Sequence, residues 1–439
     1  MTLTLAGYIL LPLTLVLAFV APNWIVYLLI AFTAFSGTAL VNVSAFTFGL
    51  QPTHWLSAIA GLLFLFGALT IPRTGHAATI SILLILFFTS IVLSIFTKVL
   101  DSQATLSNLT QAAIALDGLL ITAIVAFFVS TPDRLITAID VFVVSAVFVA
   151  AWGLLQFASG TIGFQYPAFL FNNSISDSAD FFDQNIKGVT RISAVAIEPS
   201  FFARYAVAAT GIALFTAEVE TGRRRLAFYG AACFIGATAF LSTSTSAYIG
   251  LAVLASLWVA SDMRRLIPLL AGAVLGVALL SIVNPDFIRT LWSVTAGKAS
   301  SGSFYDRLGT VLAALESFDR QPLFGHGWDE LASYDLFGAL LFHIGIVGLL
   351  SFFALLGYAL IGGLGRGTTQ DQPTELTRLS AGFRMTLLAV IAVDAVSGIS
   401  YVAANLWVVL GLTLAVQGIE RSMRRRNHAG NWSPTPGFA

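Results

Sequence analysis

Residues 191–217 read RISAVAIEPSFFARYAVAATGIALFTA, and within them a polar segment turns into an apolar one. The apolar part, from about residue 201 to 217, approaches the length of about 20 residues that a helix needs to cross a bilayer. Pro199 suits the first turn of a helix and disfavours helical structure at the residue before it. We therefore predict that Glu198 lies at the helix N-terminus, where the helix dipole favours an ionised carboxylate.

Two arginines flank this acid. Arg204 lies about five residues into the predicted helix, or roughly 8 Å along its axis, and ionisable groups at such depth usually face a cavity or the bundle interior. Arg191 lies on the loop side and can approach the same mouth. The pattern predicts an acid between two cations at the rim of a helix bundle. A structural ion pair between Glu198 and Arg204 is the alternative interpretation.

The composition indicates what class of protein carries this segment. Of the 439 residues, 57% are hydrophobic and 10% are charged, whereas ordinary globular domains carry about 25% charged residues. The mean hydropathy is +0.88. We therefore predict an all-α polytopic membrane protein with about 12–13 transmembrane helices. The net charge of zero gives no indication of a nucleic-acid partner, and the single cysteine excludes an internal disulfide and a thiolate metal site.

Thirteen apolar segments are candidate membrane spans, or twelve if one of the first six is re-entrant. They lie near residues 2–20, 24–44, 54–71, 77–97, 112–130, 135–158, 201–217, 226–242, 246–260, 266–283, 337–363, 382–398 and 402–418. These spans form a predicted integral membrane domain over residues 1–427. Residues 428–439, rich in polar residues and proline, are predicted to be a disordered cytoplasmic tail.

The basic residues predict the orientation, because cytoplasmic loops carry an excess of lysine and arginine. Arginine clusters occur at 223–225, 264–265, 366–378 and 421–426. Placing all four in the cytoplasm puts two long polar segments, about 159–200 and 285–336, on the periplasmic side. The hairpin STSTS at 242–246 joins them there. Within the second segment, residues 303–318 have the apolar periodicity of an amphipathic helix, which we expect to lie on the membrane surface or to cover the first loop.

Several arginines lie on or near this external side, against the orientation bias. The planar guanidinium group suits forked binding of phosphate. We therefore predict that an anionic headgroup, such as a lipid diphosphate, binds here. The arginines concerned are Arg191, Arg204, Arg289, Arg307 and Arg320. The aromatic side chains of Tyr305 and Trp328 suit stacking on sugar rings, although interfacial aromatic belts produce the same composition.

Three stretches resemble one family. RISAVAIEPSFFA, residues 191–203, resembles the Arg-to-Glu-Pro-Ser element of O-antigen polymerases. DRLGTVLAALESFDRQPLFGHGWDE, residues 306–330, is similar to the second-loop signature shared by O-antigen polymerases and O-antigen ligases. FHIGIVGLLSF, residues 342–352, is similar to the start of the span that follows in that family. The resemblance covers about residues 190–350, and the first half of the chain agrees only in hydropathy.

The resemblance implies a glycosyltransferase of the GT-C type that is inverting and needs neither metal nor cofactor. Such an enzyme polymerises undecaprenyl-diphosphate-linked oligosaccharide repeat units for O-antigen, capsule or exopolysaccharide at the periplasmic face of the bacterial inner membrane. Both donor and acceptor are then lipid-linked glycans, and a chain-length regulator protein is an implied partner. Arg191 and Arg307 match the arginines that hold diphosphate or glycan in this family, and Glu198 matches its acid.

Glycosyl transfer needs a group that takes the proton of the acceptor hydroxyl and cations that stabilise the leaving diphosphate. We assign Glu198 as the base and Arg191, Arg204 and Arg307 as the charge clamp. His326, between two glycines, is an alternative base or a solvated turn residue. No Asp-x-Asp pair occurs in the chain, so a nucleotide-sugar and metal mechanism finds no support.

Two alternatives to a polymerase remain. Ligases usually carry a His-Asn pair before the span at 337–363, and here Tyr334 and Asp335 stand near that place. The hairpin STSTS also lacks the arginine that often follows it in ligases, so both departures favour a polymerase. A transporter or flippase of lipid-linked sugars should place its charges near the bilayer midplane in broken helices, whereas here they cluster at the rim.

Overall fold

The computed structural model describes residues 1–43, 49–69, 77–100, 105–174, 185–186, 189–283, 289, 293, 302–328, 333–362, 374–396 and 400–428. Within these ranges the chain forms fourteen α-helices and two small antiparallel sheets. The predicted all-α class is therefore confirmed. The expected disorder of the tail concerns residues that lie outside the described ranges, apart from residue 428 at the end of the last helix.

A helix lies at each of the thirteen predicted segments, and one more lies in the second polar segment. The helices are α1 Leu5–Val20, α2 Asn23–Ala31, α3 Pro52–Leu65, α4 Ala77–Leu100, α5 Leu106–Phe128, α6 Pro132–Ile162, α7 Pro199–Ala217, α8 Gly222–Leu241, α9 Thr245–Ser261, α10 Leu266–Val283, α11 Gly302–Phe318, α12 Leu336–Ile361, α13 Glu375–Asp394 and α14 Ala404–His428. The strands are β1 Thr2–Leu3, which pairs with β2 Val41–Asn42, and β3 Asn185–Ile186, which pairs with β4 Val189–Thr190.

Among the described residues, six helices are long and apolar enough to cross a membrane: α4, α5, α6, α7, α12 and α13. Helices α1, α2 with its 3₁₀ extension, α3 and α9 are apolar but shorter. One large apolar core runs through the bundle and includes residues from most of these helices. The molecule is thus a membrane-embedded helix bundle.

The helix ends follow local sequence signals. Thr105 and Asn108 form a reciprocal capping box at the start of α5. Thr131 caps α6, whose first residue is Pro132, and Asp335 caps α12 by accepting a hydrogen bond from the Gly338 amide at 2.7 Å. At the other end of α6, Gly163 adopts the left-handed conformation that commonly ends a helix.

One predicted span is only half helical. The segment 24–44 continues as a helix through α2 and a 3₁₀ turn, but residues 35–43 leave the helix. Their polar groups bond to the loop before α7 and to residues near 172: the Gly37 amide donates to the Val195 carbonyl at 3.0 Å, and the Ala39 amide donates to Asn173 Oδ1 at 2.9 Å. Irregular backbone within a membrane protein needs such internal partners, and these are too distant in sequence to be predicted.

Helix α7 lies at the centre of the bundle. It packs against α6, α8, α9 and α13 and is almost entirely buried. Its many small residues allow these neighbours to approach closely, as small residues do in membrane bundles; Gly211, for example, lies against Thr386 of α13. Helix α7 is therefore enclosed by its neighbours along most of its length.

The described arginine clusters gather at one end of the bundle. Arg265 pairs with Glu218 at 2.6 Å, which joins the start of α10 to the end of α7. Arg224, at the start of α8, pairs with Asp140 at 3.0 Å. The loop before α7 and the hairpin between α8 and α9 lie at the other ends of these helices. The charge separation matches the orientation predicted from the arginines, while its assignment to cytoplasm and periplasm stays a prediction.

Candidate active site

A hollow of about 50 Å³ opens at the end of the bundle opposite the arginine clusters. Its lining comes from the loop before α7 with the first turn of α7, from the start of α9, and from α11. The lining residues are Arg191, Glu198, Pro199, Ser200, Ser244, Thr245, Ser246 and Arg307. Three residues that the sequence singled out, Arg191, Glu198 and Arg307, therefore share one site.

Glu198 occupies the N-cap position of α7, as predicted. Its backbone is extended, with φ −147° and ψ 163°, and its side chain does not bond to the amides of its own helix. The Ser200 hydroxyl donates instead to Glu198 Oε1. The carboxylate is thus oriented by a neighbouring hydroxyl and lines the hollow beside the N-terminus of α7.

The loop that carries Arg191 is fastened to α6. Gln156 Oε1 accepts hydrogen bonds from the amides of Ser193 and Ala194, each at 2.9 Å. The Asn172 side-chain amide donates to the Ala194 carbonyl at 2.9 Å. Ala194 has φ 52°, and Thr243, in the hairpin opposite, also has φ 52°. Residues other than glycine rarely adopt positive φ, and such strain often marks functional sites.

Arg191 joins the loop before α7 to the hairpin that carries Thr243. Its Nε donates to Thr243 Oγ1 at 3.2 Å, so the loop and the hairpin are joined through the guanidinium group. The pKa of Arg191 is lowered overall, chiefly because the side chain is buried. The carboxylate of Glu198 raises the pKa in part, and the charge of Arg307 lowers it. Because the guanidinium group is not deprotonated in proteins, Arg191 keeps its charge at neutral pH. Arg191 is therefore a fixed, partly desolvated cation.

Arg307 reaches the hollow from α11. Its guanidinium carbon lies 5.7 Å from the ring centroid of Tyr334, a cation–π distance. The Tyr334 amide donates to Thr310 Oγ1 at 3.3 Å, which ties the same helix to the segment before α12. Helix α11 is amphipathic as predicted, and its contribution of Arg307 to the lining shows that it covers part of the site.

Arg204 does not reach the hollow. Its side chain is fully buried, and its Nε lies 3.5 Å from Asp394 Oδ1 at the end of α13. The guanidinium carbon also lies 4.9 Å from the Phe201 ring centroid. Both predictions for Arg204 thus need correction: it is not a wall of the site, and the acid with which it forms an ion pair is Asp394 rather than Glu198. The pairing depends on the packing of α13 against α7, which the sequence did not indicate.

His326 holds the turn after α11 against α12. Its Nε2 donates to the Ser317 carbonyl at 2.7 Å, and its amide donates to the Phe342 carbonyl at 2.7 Å. Its ring stacks on Phe342 with 4.9 Å between centroids. His326 thus ties the end of α11 to α12 and does not line the hollow, which argues against the alternative that it is the base.

The remaining candidates divide between core and surface. Trp328 is 1% exposed and stacks on His343 at 4.8 Å, so it is a core residue and not a sugar platform in this structure. The predicted contact of Trp328 with glycan is corrected accordingly. Tyr305 is 61% exposed on α11, and Arg320 is exposed in the turn after α11. Neither Tyr305 nor Arg320 lines the hollow, and their predicted contacts with substrate remain predictions.

Two glycines, one in the Pro-Leu-Phe-Gly-His-Gly turn and one in α12, allow the turn to pack on the helix. Gly325 and Gly345 have φ of 69° and 63°, and Gly345 forms a kink inside α12. A Cβ atom on Gly345 would lie 2.5 Å from the Leu323 carbonyl oxygen, and one on Gly325 would lie 2.5 Å from the Phe342 carbonyl oxygen. These glycines therefore allow backbone to pack on backbone between the turn and the kinked helix, rather than against a ligand.

Gly345→Ala should destabilise the protein, because it combines an unfavourable φ with a clash against backbone. We expect a loss of at least about 1–3 kcal/mol, seen as a lower melting temperature in detergent. Gly357→Ala is the matched control: it lies on the same helix, and a Cβ atom there meets nothing within 4 Å. Equal melting temperatures for the two variants would contradict the proposed packing of the turn on the kink.

The structure adds residues that the sequence analysis did not select. Ser244, Thr245 and Ser246 line the hollow, and Gln156 holds the loop. A glutamine inside a mostly apolar span and a hairpin composed only of serine and threonine were the available signals.

The chain matches no known protein family and no curated protein. A proposal for the function therefore depends on the geometry of the hollow and on the three stretches of sequence that resemble O-antigen polymerases and ligases. Among the described residues, no group of three or more His, Cys, Asp or Glu side chains is placed to hold a metal ion.

Proposed function

We propose that this protein is a membrane glycosyltransferase that polymerises oligosaccharide repeat units linked to undecaprenyl diphosphate. One observation carries the proposal: the carboxylate of Glu198 and the cations of Arg191 and Arg307 line one hollow, although they come from segments more than 100 residues apart. A proton acceptor beside a pair of fixed cations suits glycosyl transfer from a diphosphate. The motif resemblance to O-antigen polymerases supports the same substrate class.

In this proposal the acceptor hydroxyl attacks the anomeric carbon of the donor sugar. The Glu198 carboxylate takes the proton of that hydroxyl as the new glycosidic bond forms. The bond between the anomeric carbon and the diphosphate oxygen breaks, and the electron pair leaves with the lipid diphosphate. Arg191 and Arg307 stabilise the charge that develops on that leaving group. A single displacement of this kind inverts the anomeric configuration.

The size of the hollow agrees with a headgroup site. A volume of about 50 Å³ holds a few water molecules, which is the scale of a phosphate group and not of an oligosaccharide. The sugars and the isoprenoid chain would therefore extend outside the hollow, along the surface and into the membrane. The exposed Tyr305 ring on α11 is available to the glycan there.

The direct test is elongation by purified protein in detergent, supplied with a lipid-linked repeat unit and EDTA. A ladder of products that each differ by one repeat unit is expected. When lipid A-core is added to the same assay, transfer of glycan to it without a ladder would instead indicate the ligase. In a separate assay with proteoliposomes, movement of the lipid-linked unit across the membrane without any elongation would indicate the transporter.

Arg307→Ala should raise the KM for the lipid-diphosphate donor by about 10–100-fold. The estimate takes about 1.5–3 kcal/mol for a hydrogen bond to a charged group and tenfold in affinity for each 1.4 kcal/mol. Arg307→Lys should recover part of the loss, because lysine keeps the charge but not the forked geometry. Initial rates measured against donor concentration give the KM.

The matched control is Arg264→Ala, which removes an exposed arginine that does not line the hollow. We expect its KM to remain within about twofold of the wild type, since surface charges contribute little. Equal effects of the two substitutions would mean that the general charge of the protein, and not the hollow, governs donor binding.

A further inference from the structure

Helix α11 presents leucines to its surroundings beside the residue that it contributes to the hollow. One side of the helix is covered: Arg307 lines the hollow, and Ala314 is 1% exposed. The adjoining side carries Leu308, Leu312 and Leu315, which are 44%, 50% and 51% exposed. Because residues three and four apart share one face of a helix, these leucines form a continuous stripe, here called the leucine edge.

The stripe next to the leucine edge is exposed as well, but it carries no large apolar side chain. Its residues, each one position further along the chain, are Gly309, Ala313 and Glu316. A helix that lies between water and an apolar phase has this division into an apolar and a polar side. The leucine edge therefore indicates that α11 contacts an apolar phase as well as the hollow.

The turn after α11 lies at the level where two neighbouring helices leave the membrane. A Cβ atom on Gly327 would lie 2.5 Å from Lys98 Cγ, two residues before the end of α4. The side chain of Asn108, in the first turn of α5, donates to the Trp328 carbonyl. Both α4 and α5 are long and apolar enough to cross a membrane, and α5 runs from here toward the arginine-rich end. The turn thus lies at the membrane boundary on the side of the hollow.

Exposed apolar side chains continue from this turn onto α12. Leu323 is 57% exposed, and its carbonyl accepts a hydrogen bond from the Val347 amide at 3.2 Å. Val347, Leu350 and Phe353 lie on one face of α12 and are all exposed. Since α12 is long and apolar enough to cross the membrane, lipid covers this face. The same lipid therefore reaches the turn from which α11 extends.

We propose that α11 lies in the surface of the membrane leaflet on the side of the hollow, with its leucine edge among the lipid chains, and that this contact holds Arg307 over the hollow. Arg307 and Leu308 are consecutive on one helix, so α11 cannot leave the leaflet without moving the guanidinium group. The lipid contact is independent of the proposed glycosyl transfer, whereas its effect on donor binding rests on that function.

The test uses nitroxide spin labels on the full-length protein in nanodiscs of phosphatidylethanolamine and phosphatidylglycerol. Cys233→Ser first removes the single cysteine of the chain. Leu312→Cys then places a label on the leucine edge, Ala313→Cys places the matched control on the neighbouring stripe, and Leu350→Cys places a lipid reference on α12. Oxygen concentrates in lipid and a neutral nickel complex in water. We expect position 312 to collide mainly with oxygen, as position 350 does, and position 313 mainly with nickel.

Three results would overturn the lipid contact. Collision rates at position 312 that match those at position 313 would place the leucine edge in water. A loss of oxygen access at position 312 when undecaprenyl diphosphate is added would assign the edge to the isoprenoid chain of a substrate. Spin–spin coupling between labels would assign it to a second copy of the chain. If Leu312→Cys does not give folded protein, Leu308→Cys lies on the same edge and takes its place.

The effect on Arg307 is tested by removing the leucine edge. A variant with serine at positions 308, 312 and 315 should raise the KM for the lipid-diphosphate donor, up to the about 10–100-fold expected for Arg307→Ala. Ala313→Ser is the control, and its KM should equal that of the wild type. An unchanged KM in the leucine variant would overturn the claim that the membrane holds Arg307 in place.

The lipid contact and the polymerase can fail separately. A label at position 312 in lipid, on a protein that elongates no lipid-linked glycan, would keep the contact and remove the proposed polymerase. Elongation by the wild type, together with a label at position 312 in water, would keep the polymerase and remove the contact.

Discussion

Glu198→Gln should abolish glycan elongation, with turnover falling by about 10²–10⁴-fold, the usual contribution of a positioned general base. Glutamine keeps the shape of the side chain, and its carbonyl oxygen can still accept the hydrogen bond from Ser200. The amide cannot take a proton from the acceptor hydroxyl. The loss should therefore appear in kcat and leave the KM for the donor nearly unchanged. Initial rates with purified protein and a lipid-linked repeat unit measure both constants.

Glu375→Gln is the matched control for this substitution. Glu375 also lies in the first turn of a helix, α13, but it is exposed at the arginine-rich end of the bundle. Its turnover should equal that of the wild type. A normal product ladder from Glu198→Gln would remove Glu198 as the base, and the hollow would then lack a proton acceptor among its lining residues.

The second large effect is expected at the ion pair beneath the site. Asp394→Asn leaves the Arg204 guanidinium fully buried without its carboxylate. Removing one partner of a buried ion pair typically costs about 3–5 kcal/mol, because the remaining charge is uncompensated. We expect a large drop in the thermal unfolding temperature in detergent. Adding Arg204→Met to Asp394→Asn should recover most of that loss, because both charges of the pair are then removed.

The control for this prediction is the exposed pair of Arg224 and Asp140, whose side chains are 49% and 39% exposed. Asp140→Asn should cost less than about 1 kcal/mol, as surface pairs do. The double variant Arg204→Met/Asp394→Asn also tests the correction made to Arg204. If it regains stability and donor binding, Arg204 is structural; if it is stable but binds donor poorly, Arg204 belongs to the clamp after all.

Much of the architecture was predictable from local patterns. The helix at each apolar segment follows from hydropathy, and the N-cap position of Glu198 follows from Pro199 after it. The amphipathic helix α11 follows from its apolar period. Each of these depends on residues close together in the chain, so sequence alone carries the necessary information. The end of the helix at residue 34 escaped prediction because its cause is the bonding of residues 37 and 39 to distant loops.

The sequence predicted some residues of the hollow correctly and selected others that lie elsewhere, and both outcomes have one physical reason. Chemical type marked Arg191, Glu198 and Arg307 as candidates. One is an acid, and the two arginines lie on the side of the membrane where few basic residues are expected. Chemical type marked Arg204, His326 and Trp328 equally well, since a guanidinium, an imidazole or an indole has the same chemistry in the core and in a site.

The sequence by itself thus determined the class of protein, the positions of its helices and the kinds of group available to bind an anion. Only the tertiary structure decided which of those groups meet. Packing of α13 against α7 pairs Arg204 with Asp394, and the turn after α11 draws His326 and Trp328 against α12. Contacts between segments far apart in the chain depend on how whole helices pack, and no local pattern encodes that packing.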